Sequence, residues 1–229
     1  MSTTLLIPPP CIREHVMPAP RVYNKHHGDA PADAVYIGRG SPWGNRFKIP
    51  EDGDRDQVCN RFECEQLPDM DVSALTGKDL VCFCWPHRCH GDSILLKANH
   101  RVVVFGGRNY RDRETLYGAL DDEHARRRIT CIIEGEMSGA DRMARQWAED
   151  RGVAVDPYPA DWDDIERPGA LVRRNSRGKL YDAAAGPYRN MLMLRVGRPN
   201  RAIGFPGGKG TRDMARQCVE TGLIPTLVR

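Results

Sequence analysis

The segment RVVVFGGRNYRDRETL, residues 101–116, decides the fold. Val102, Val103, Val104 and Phe105 form an apolar run with no polar alternation, as expected of a strand buried on both faces. Gly106 and Gly107 end the run. A helix is then expected over 112–120, with Leu116 and Leu120 on one face. A doubly buried strand that turns at glycine into a helix is the repeating unit of a parallel α/β sheet.

Reading outward towards the C-terminus, the unit recurs. ITCIIEG, residues 129–135, is a second buried strand. ADRMARQWAEDRG, 140–152, is an amphipathic helix with Met143, Ala144 and Trp147 inward, ended by Gly152. A third strand begins at 153–155. A polar loop is expected through ADWDD and RPGALVRRNSRGK. A helix follows at 187–194 and a further strand at 202–205. The last unit is FPGGKGTRDMA, 205–215, with Thr211 capping a helix through Met214, Ala215, Cys218 and Val219. Strands alternating with helices imply a Rossmann-like parallel sheet with right-handed crossovers and helices on both faces.

In such sheets ligands bind beyond the carboxyl ends of the strands. Three of these ends carry glycine-rich turns: Gly106, Gly107 and Arg108; Gly135 through Ser138, Gly139, Ala140 and Asp141; and Pro206, Gly207, Gly208, Lys209, Gly210 and Thr211. The third turn fails as a Walker P-loop. Gly210 follows Lys209 where Ser or Thr should ligate magnesium, and Ile203 stands where the pattern wants glycine. The amides of a glycine loop at a helix N-terminus still suit an anion. Three such turns at one edge point to a phosphate-bearing small molecule. Arg108 reads as a bidentate phosphate clamp or a surface arginine. Asn109 is a ribose or base contact. Trp162 either stacks on a base or packs a loop.

Composition bounds the rest. The chain has 229 residues, 40% hydrophobic and 28% charged, with net charge +3. That charge is too small for a nucleic-acid stripe or membrane patch, so neither partner is expected. No apolar run reaches the ~18 residues of a membrane span. The N-terminus lacks the basic and apolar regions of a signal peptide, which points to the cytoplasm. In a reducing compartment the eight cysteines are not a disulfide framework. No cofactor is required, a nucleotide-derived ligand is expected, and a homo-oligomer stays open.

The motifs VVVFGGRNYRDRETL, EGEMSGADRMARQWAEDRGV, YPADW, AGPYRNMLM and FPGGKGT recur in the order found in the SLOG superfamily. This superfamily groups Smf/DprA DNA-processing proteins with LOG-type nucleotide phosphoribohydrolases. Residues 102–229 resemble its YspA, or cpYpsA-related, branch. The resemblance implies a Rossmann-like domain that binds a nucleotide or nucleotide-derived ligand. LOG enzymes carry Arg-Lys-x-x-Met followed by P-G-G-x-G-T-x-x-E. Here Arg189 keeps the arginine, Asn190 replaces the lysine, and Met214 replaces the glutamate. In LOG enzymes the Arg/Glu pair is implicated in cleaving an N-glycosidic bond. A thioether can neither activate water nor stabilise an oxocarbenium-like ribose. Asp213 is one residue away, turned by about 100° on a helix. Asp141 is another carboxylate, or a first-turn acid balancing the helix dipole. Arg189 and Asp141 are therefore the catalytic candidates of this domain, beside a binding reading without turnover.

Upstream, residues 1–34 read as an irregular arm and 35–100 as a smaller α/β domain. A strand is expected at 35–37, a helix near 57–64, a strand at 80–84 and a helix starting near Asp92. VYIGRGSPWGNRF and LTGKDLVCFCWPHRCHGD resemble a small bacterial and phage domain without an assigned function. Arg39, Gly40, Ser41, Trp43, Gly44 and Asn45 form a polar loop, either a second small-molecule site or purely structural. Cys89 beside His90 at a helix N-terminus reads as a nucleophile with lowered thiol pKa, with Asp92 as the helix cap. Cys82, Cys84, Cys89 and His90 also invite a structural zinc. The tight C-x-C spacing and the adjacency of Cys89 and His90 favour burial of Cys82 and Cys84 as small hydrophobes instead.

Overall fold

The computed structural model describes residues 19–229, and the N-terminal 18 residues lie outside it. The chain divides into two compact units. One comprises Ala19–Arg101 with Glu123–Cys131, the other Val102–Asp122 with Ile132–Arg229.

In the smaller unit, β1 (Val22–Asn24), β2 (Val35–Tyr36) and β3 (Leu80–Cys82) form a sheet in the order β1-β3-β2. Both pairings are parallel, with Val22 and Val35 each opposite Leu80. Part of the expected irregular arm is thus a strand: Val22 and Asn24 are buried on one side of it. The three-residue length of β1 hid its alternation from sequence. Helix α1 (Arg55–Arg61) starts at Asp54, whose side chain accepts from the Gln57 amide while Gln57 reaches back to the Asp54 amide. This reciprocal cap satisfies two otherwise orphaned donors. The helix runs into a π-helical turn over Phe62–Gln66. Helix α2 (His90–Ala98) begins two residues before the expected start. Ile37, Phe62, Leu75, Leu80 and Ile94 are fully buried at the centre of this unit.

The larger unit is built on a five-stranded parallel sheet flanked by helices. Its strands are β4 (Arg101–Phe105), β5 (Cys131–Glu134), β6 (Ala154–Pro157), β9 (Arg201–Gly204) and β10 (Thr226–Leu227), in the order β10-β9-β4-β5-β6. β4 lies parallel to β9 with Val102 opposite Arg201 and Phe105 opposite Gly204. The expected polar loop holds a hairpin of β7 (Val172–Arg174) and β8 (Leu180–Asp182). Its turn is closed by Asn175, whose side chain accepts from the Arg177 and Lys179 amides. The helices are α3 (Arg113–Arg126), α4 (Ala140–Asp150), α5 (Ala185–Arg195) and α6 (Lys209–Glu220). α4 buries Ala144, Trp147 and Ala148, whereas Met143, expected inward, is only half-buried, and Trp147 Nε1 donates to Asp121 at 2.9 Å. Among the described residues no helix is long and apolar enough to cross a membrane.

Candidate functional site

β4, β5 and β9 end in the three glycine-rich turns, and the first turn binds the other two. The Gly107 N–H donates to the Pro206 carbonyl at 3.0 Å, and the Gly107 carbonyl accepts from Ala140 N at 3.3 Å. Glycine is required here for closeness. A Cβ on Gly107 would lie 2.9 Å from the Pro206 oxygen, and one on Gly139, held at φ +83°, would strike the Gly107 oxygen. Asp141 closes the second turn, with Oδ2 accepting from Gly135 N at 3.1 Å and Met137 N at 3.3 Å.

Beyond these turns is a cavity of about 590 Å³. Of the expected ligand contacts, Gly106, Gly107, Arg108, Asp141, Arg189, Asn190, Gly208, Lys209, Gly210 and Thr211 line it. Asn109, Gly135, Ser138, Gly139, Ala140, Pro206 and Gly207 are not among its lining residues. Several of these build the turns; Ser138 Oγ, for example, donates to the Arg108 carbonyl at 3.1 Å. The amides of Gly107, Gly135 and Ala140 are consumed by the protein itself.

α6 differs. Its N-cap is Gly208, which makes no side-chain capping bond, and its first internal amide bond runs from Arg212 to Gly208. Lys209 and Gly210 in the first turn therefore carry N–H groups without an intrahelical acceptor, at a helix end that favours anions. Thr211 is not the cap. The helix starts earlier, and the Thr211 hydroxyl packs where a Gly207 side chain would stand. Lys209 and Arg108 are both exposed. The Arg108 guanidinium lies 5.7 Å from the Trp162 ring centroid. Trp162 lines the cavity, and Gly186 leaves room for its ring, since a Cβ there would approach it to 3.2 Å.

The floor is polar and internally paired. Arg189 Nη1 donates to the Gly135 carbonyl and to Tyr158 O, and Nε to Asn190 Oδ1 at 3.1 Å. Burial pushes the Asp141 carboxyl above its usual range, against the opposing Arg189 charge and the two turn amides. Burial likewise lowers the Arg189 guanidinium. Met214 is 1% exposed and Asp213 sits beside it, yet both line the cavity. The turn of the helix thus does not remove Asp213, as its position had suggested. Its carboxylate is nevertheless occupied by Asn190 Nδ2 at 2.9 Å, Gln217 Nε2 at 2.8 Å and Arg216 at 2.6 Å. Neither Gln217 nor Arg216 is suggested by the motif, because each meets Asp213 only through the helical repeat.

In the smaller unit the polar loop holds itself together. Asn45 Oδ1 accepts from Phe47 N at 2.9 Å and its amide donates to Val58 O at 3.0 Å. Ser41 Oγ accepts from Trp43 N, and Arg39 donates to Phe47 O at 3.4 Å. The cap of α2 is Cys89, whose sulfur accepts from Gly91 N at 3.4 Å, while Asp92 reaches back to the Cys89 amide. His90 is buried and turned to the Ile37 carbonyl at 3.0 Å from Nε2. Burial lowers its pKa. The expected activation of Cys89 is not found. The residue is 2% exposed, and contacts with Cys82 and Cys84 and burial push its thiol up. Cys84, half-buried beside Arg55, is the thiol whose pKa is lowered, chiefly by its contacts with Cys82 and Cys89.

Comparison with known proteins follows the same division. The family described as YspA, cpYpsA-related SLOG matches residues 100–164, and a domain of unknown function, DUF4326, matches 22–100. The Gene 61 protein of Mycobacterium phage D29 is 30% identical over 131 residues, covering 54% of this chain and 91% of that protein. The chain belongs to the YspA, cpYpsA-related SLOG family. The X-ray structure of DNA processing protein A (DprA) from Streptococcus pneumoniae is similar with a TM-score of 0.32 at 16% identity. That similarity covers 58% of this chain and 60% of the other, so the chain spans less than two thirds of it.

Proposed function

We propose that the larger unit binds a nucleotide or nucleotide-derived ligand of the ADP-ribose type, as a sensor, a sponge or a step in nucleotide metabolism. One observation carries this reading: the uncapped N-terminus of α6 opens on a cavity of about 590 Å³ that Arg108 and Trp162 also line. The volume suits a drug-sized ligand, whose sites span roughly 300–1,000 Å³. The phosphates belong on the first turn of α6 with Lys209 and Arg108, and a base or sugar face on Trp162.

Binding without turnover is the better supported form. Met214 replaces the carboxylate that a LOG-type cleavage uses, and the Asp141 and Asp213 oxygens already hold partners. The second reading, cleavage of an N-glycosidic bond, draws support from Arg189 beside Asp141 in the same cavity. Calorimetry with ADP-ribose, NAD and nucleoside mono- and diphosphates tests both, with mass spectrometry of the recovered ligand. The expected result is binding of a ligand recovered intact, weakened about tenfold by Arg108→Ala or Lys209→Ala, the size of one charge-assisted hydrogen bond. Melting temperature stays unchanged in those variants, because both side chains are exposed. Release of free base, abolished by Arg189→Ala, establishes the second reading. Binding of none of these compounds, or binding indifferent to Arg108 and Lys209, removes the first.

A further inference from the structure

Cys82 ends β3, short of the strand expected to 84, and Cys84 follows a bend at Phe83 just beyond it. Five residues later the chain turns back to start α2, with Cys89 at the cap. The sulfurs of Cys82, Cys84 and Cys89 all lie within 4.8 Å of one another, and those of Cys82 and Cys84 are 3.7 Å apart. Zinc–thiolate bonds of about 2.3 Å in a tetrahedron place two sulfurs about 3.8 Å apart, so the first edge of such a site is already formed.

We propose that Cys82, Cys84 and Cys89 bind a zinc ion through three thiolates. The backbone suits the anionic form of the sulfur at the cap, because Gly91 N donates to Cys89 Sγ at 3.4 Å. Cys82 and Cys89 are buried, whereas Cys84 is not, so the cluster has a dry side and a side nearer solvent. His90 is not the fourth ligand. Its Nε2 is engaged by the Ile37 carbonyl, and its Nδ1 lies 3.7 Å from the Cys89 sulfur without joining the three-sulfur group. No other His, Cys, Asp or Glu among the described residues joins it either. Three protein ligands with one position left over is the arrangement of zinc sites that accept water or an anionic ligand. The site is separate from the nucleotide cavity and does not depend on that reading.

The test uses the full chain, reduced and stripped of metal. Native mass spectrometry with added zinc is expected to show one ion per chain. Cobalt(II) as a probe is expected to give the sulfur-to-cobalt charge-transfer band of a thiolate-rich tetrahedral site. Zinc is expected to suppress alkylation of Cys84, the ligand that is not buried, while leaving Cys64 reactive. Cys89→Ser keeps a preferred helix cap while deleting the thiolate, and Cys84→Ser changes a side chain that is not buried. Each is expected to lower zinc affinity by about 100-fold or more, the upper end of what loss of an outer-shell partner costs, with the far-ultraviolet circular dichroism unchanged. Cys64→Ser, an exposed cysteine outside the cluster, is expected to leave affinity as it was. No stoichiometric zinc, an iron–sulfur chromophore in place of zinc, or affinity that survives both Cys84→Ser and Cys89→Ser would overturn the proposal.

Discussion

Gly139 and Gly118 show how the same residue type carries opposite meanings. Gly139 sits at φ +83°, and a Cβ there would run into the Gly107 and Arg108 backbone. Gly139→Ala is expected to cost about 2–4 kcal/mol, combining left-handed strain with a backbone clash that no rotamer relieves. Gly118 lies exposed within α3, has an ordinary φ and would meet nothing within 4 Å. Gly118→Ala is expected to stabilise by about 0.5–1 kcal/mol, through lower entropy of the unfolded chain. Urea unfolding of the two variants beside the parent measures both. The glycine turns were legible as turns from sequence. Which amides remained for a ligand was not, because Asp141 and the Pro206 carbonyl reach their donors only after the chain has folded. Lys209 and Arg108 keep their place as ligand candidates for a different reason: their side chains stand exposed beside the cavity.

At the level of elements, the hairpin of β7 and β8 depends on one buried carboxylate. Asp182 takes the Arg167 guanidinium at 2.6 Å and the amides of Leu171 at 2.7 Å and Ala184 at 2.8 Å. Burial would raise its pKa, but Arg167 and the two amides outweigh that and hold it below the ordinary 3.8. A carboxyl whose pKa is depressed on folding binds fewer protons in the native state than in the unfolded one. The stabilisation is therefore complete above the ordinary value and is lost as pH falls through the lower folded value. Hydrogen exchange at the Leu171 and Ala184 amides is expected to accelerate in that acid window beyond the intrinsic pH trend. Asp182→Asn is expected to remove the excess, since its side chain carries no titrating proton. The sequence had this stretch as a polar loop because both strands are three residues long and mostly exposed, so neither shows apolar alternation. α4 was legible for the opposite reason: a long helix with one buried face repeats its signal across three turns.

For the whole molecule, the seam near His100 was visible as the point where regular alternation begins. The return of Glu123–Cys131 to the smaller unit was not. That return is held by contacts remote in sequence: His100 Nε2 with Glu123 at 2.8 Å, Thr130 N with the His100 carbonyl at 2.9 Å, and Arg127 with the Asn99 carbonyl at 3.0 Å. The two proposed ligand sites, one in each unit, predict two separate footprints in amide exchange. Saturating nucleotide at about 100 times its Kd should stabilise by about 2.7 kcal/mol. The added protection is expected at the first turn of α6 and the 106–108 turn. Zinc should protect the end of β3 and the start of α2. Protection by nucleotide spread over residues 80–98 and absent from the α6 turn would contradict this assignment.

By itself the sequence determined the alternation of strand and helix, the glycine ends of β4, β5 and β9, and the family. Each of these is a local pattern whose period or spacing survives without knowledge of neighbours. Only the tertiary structure decided that Gly107 ties three turns together, that Asp213 faces the cavity already paired, and that Cys84 and Cys89 meet Cys82 while His90 turns away. The ties of Gly107 to Pro206 and of Asn190 to Asp213 join segments far apart in the chain, and the cysteine cluster depends on how the turn between β3 and α2 folds back; no periodic pattern encodes such distances.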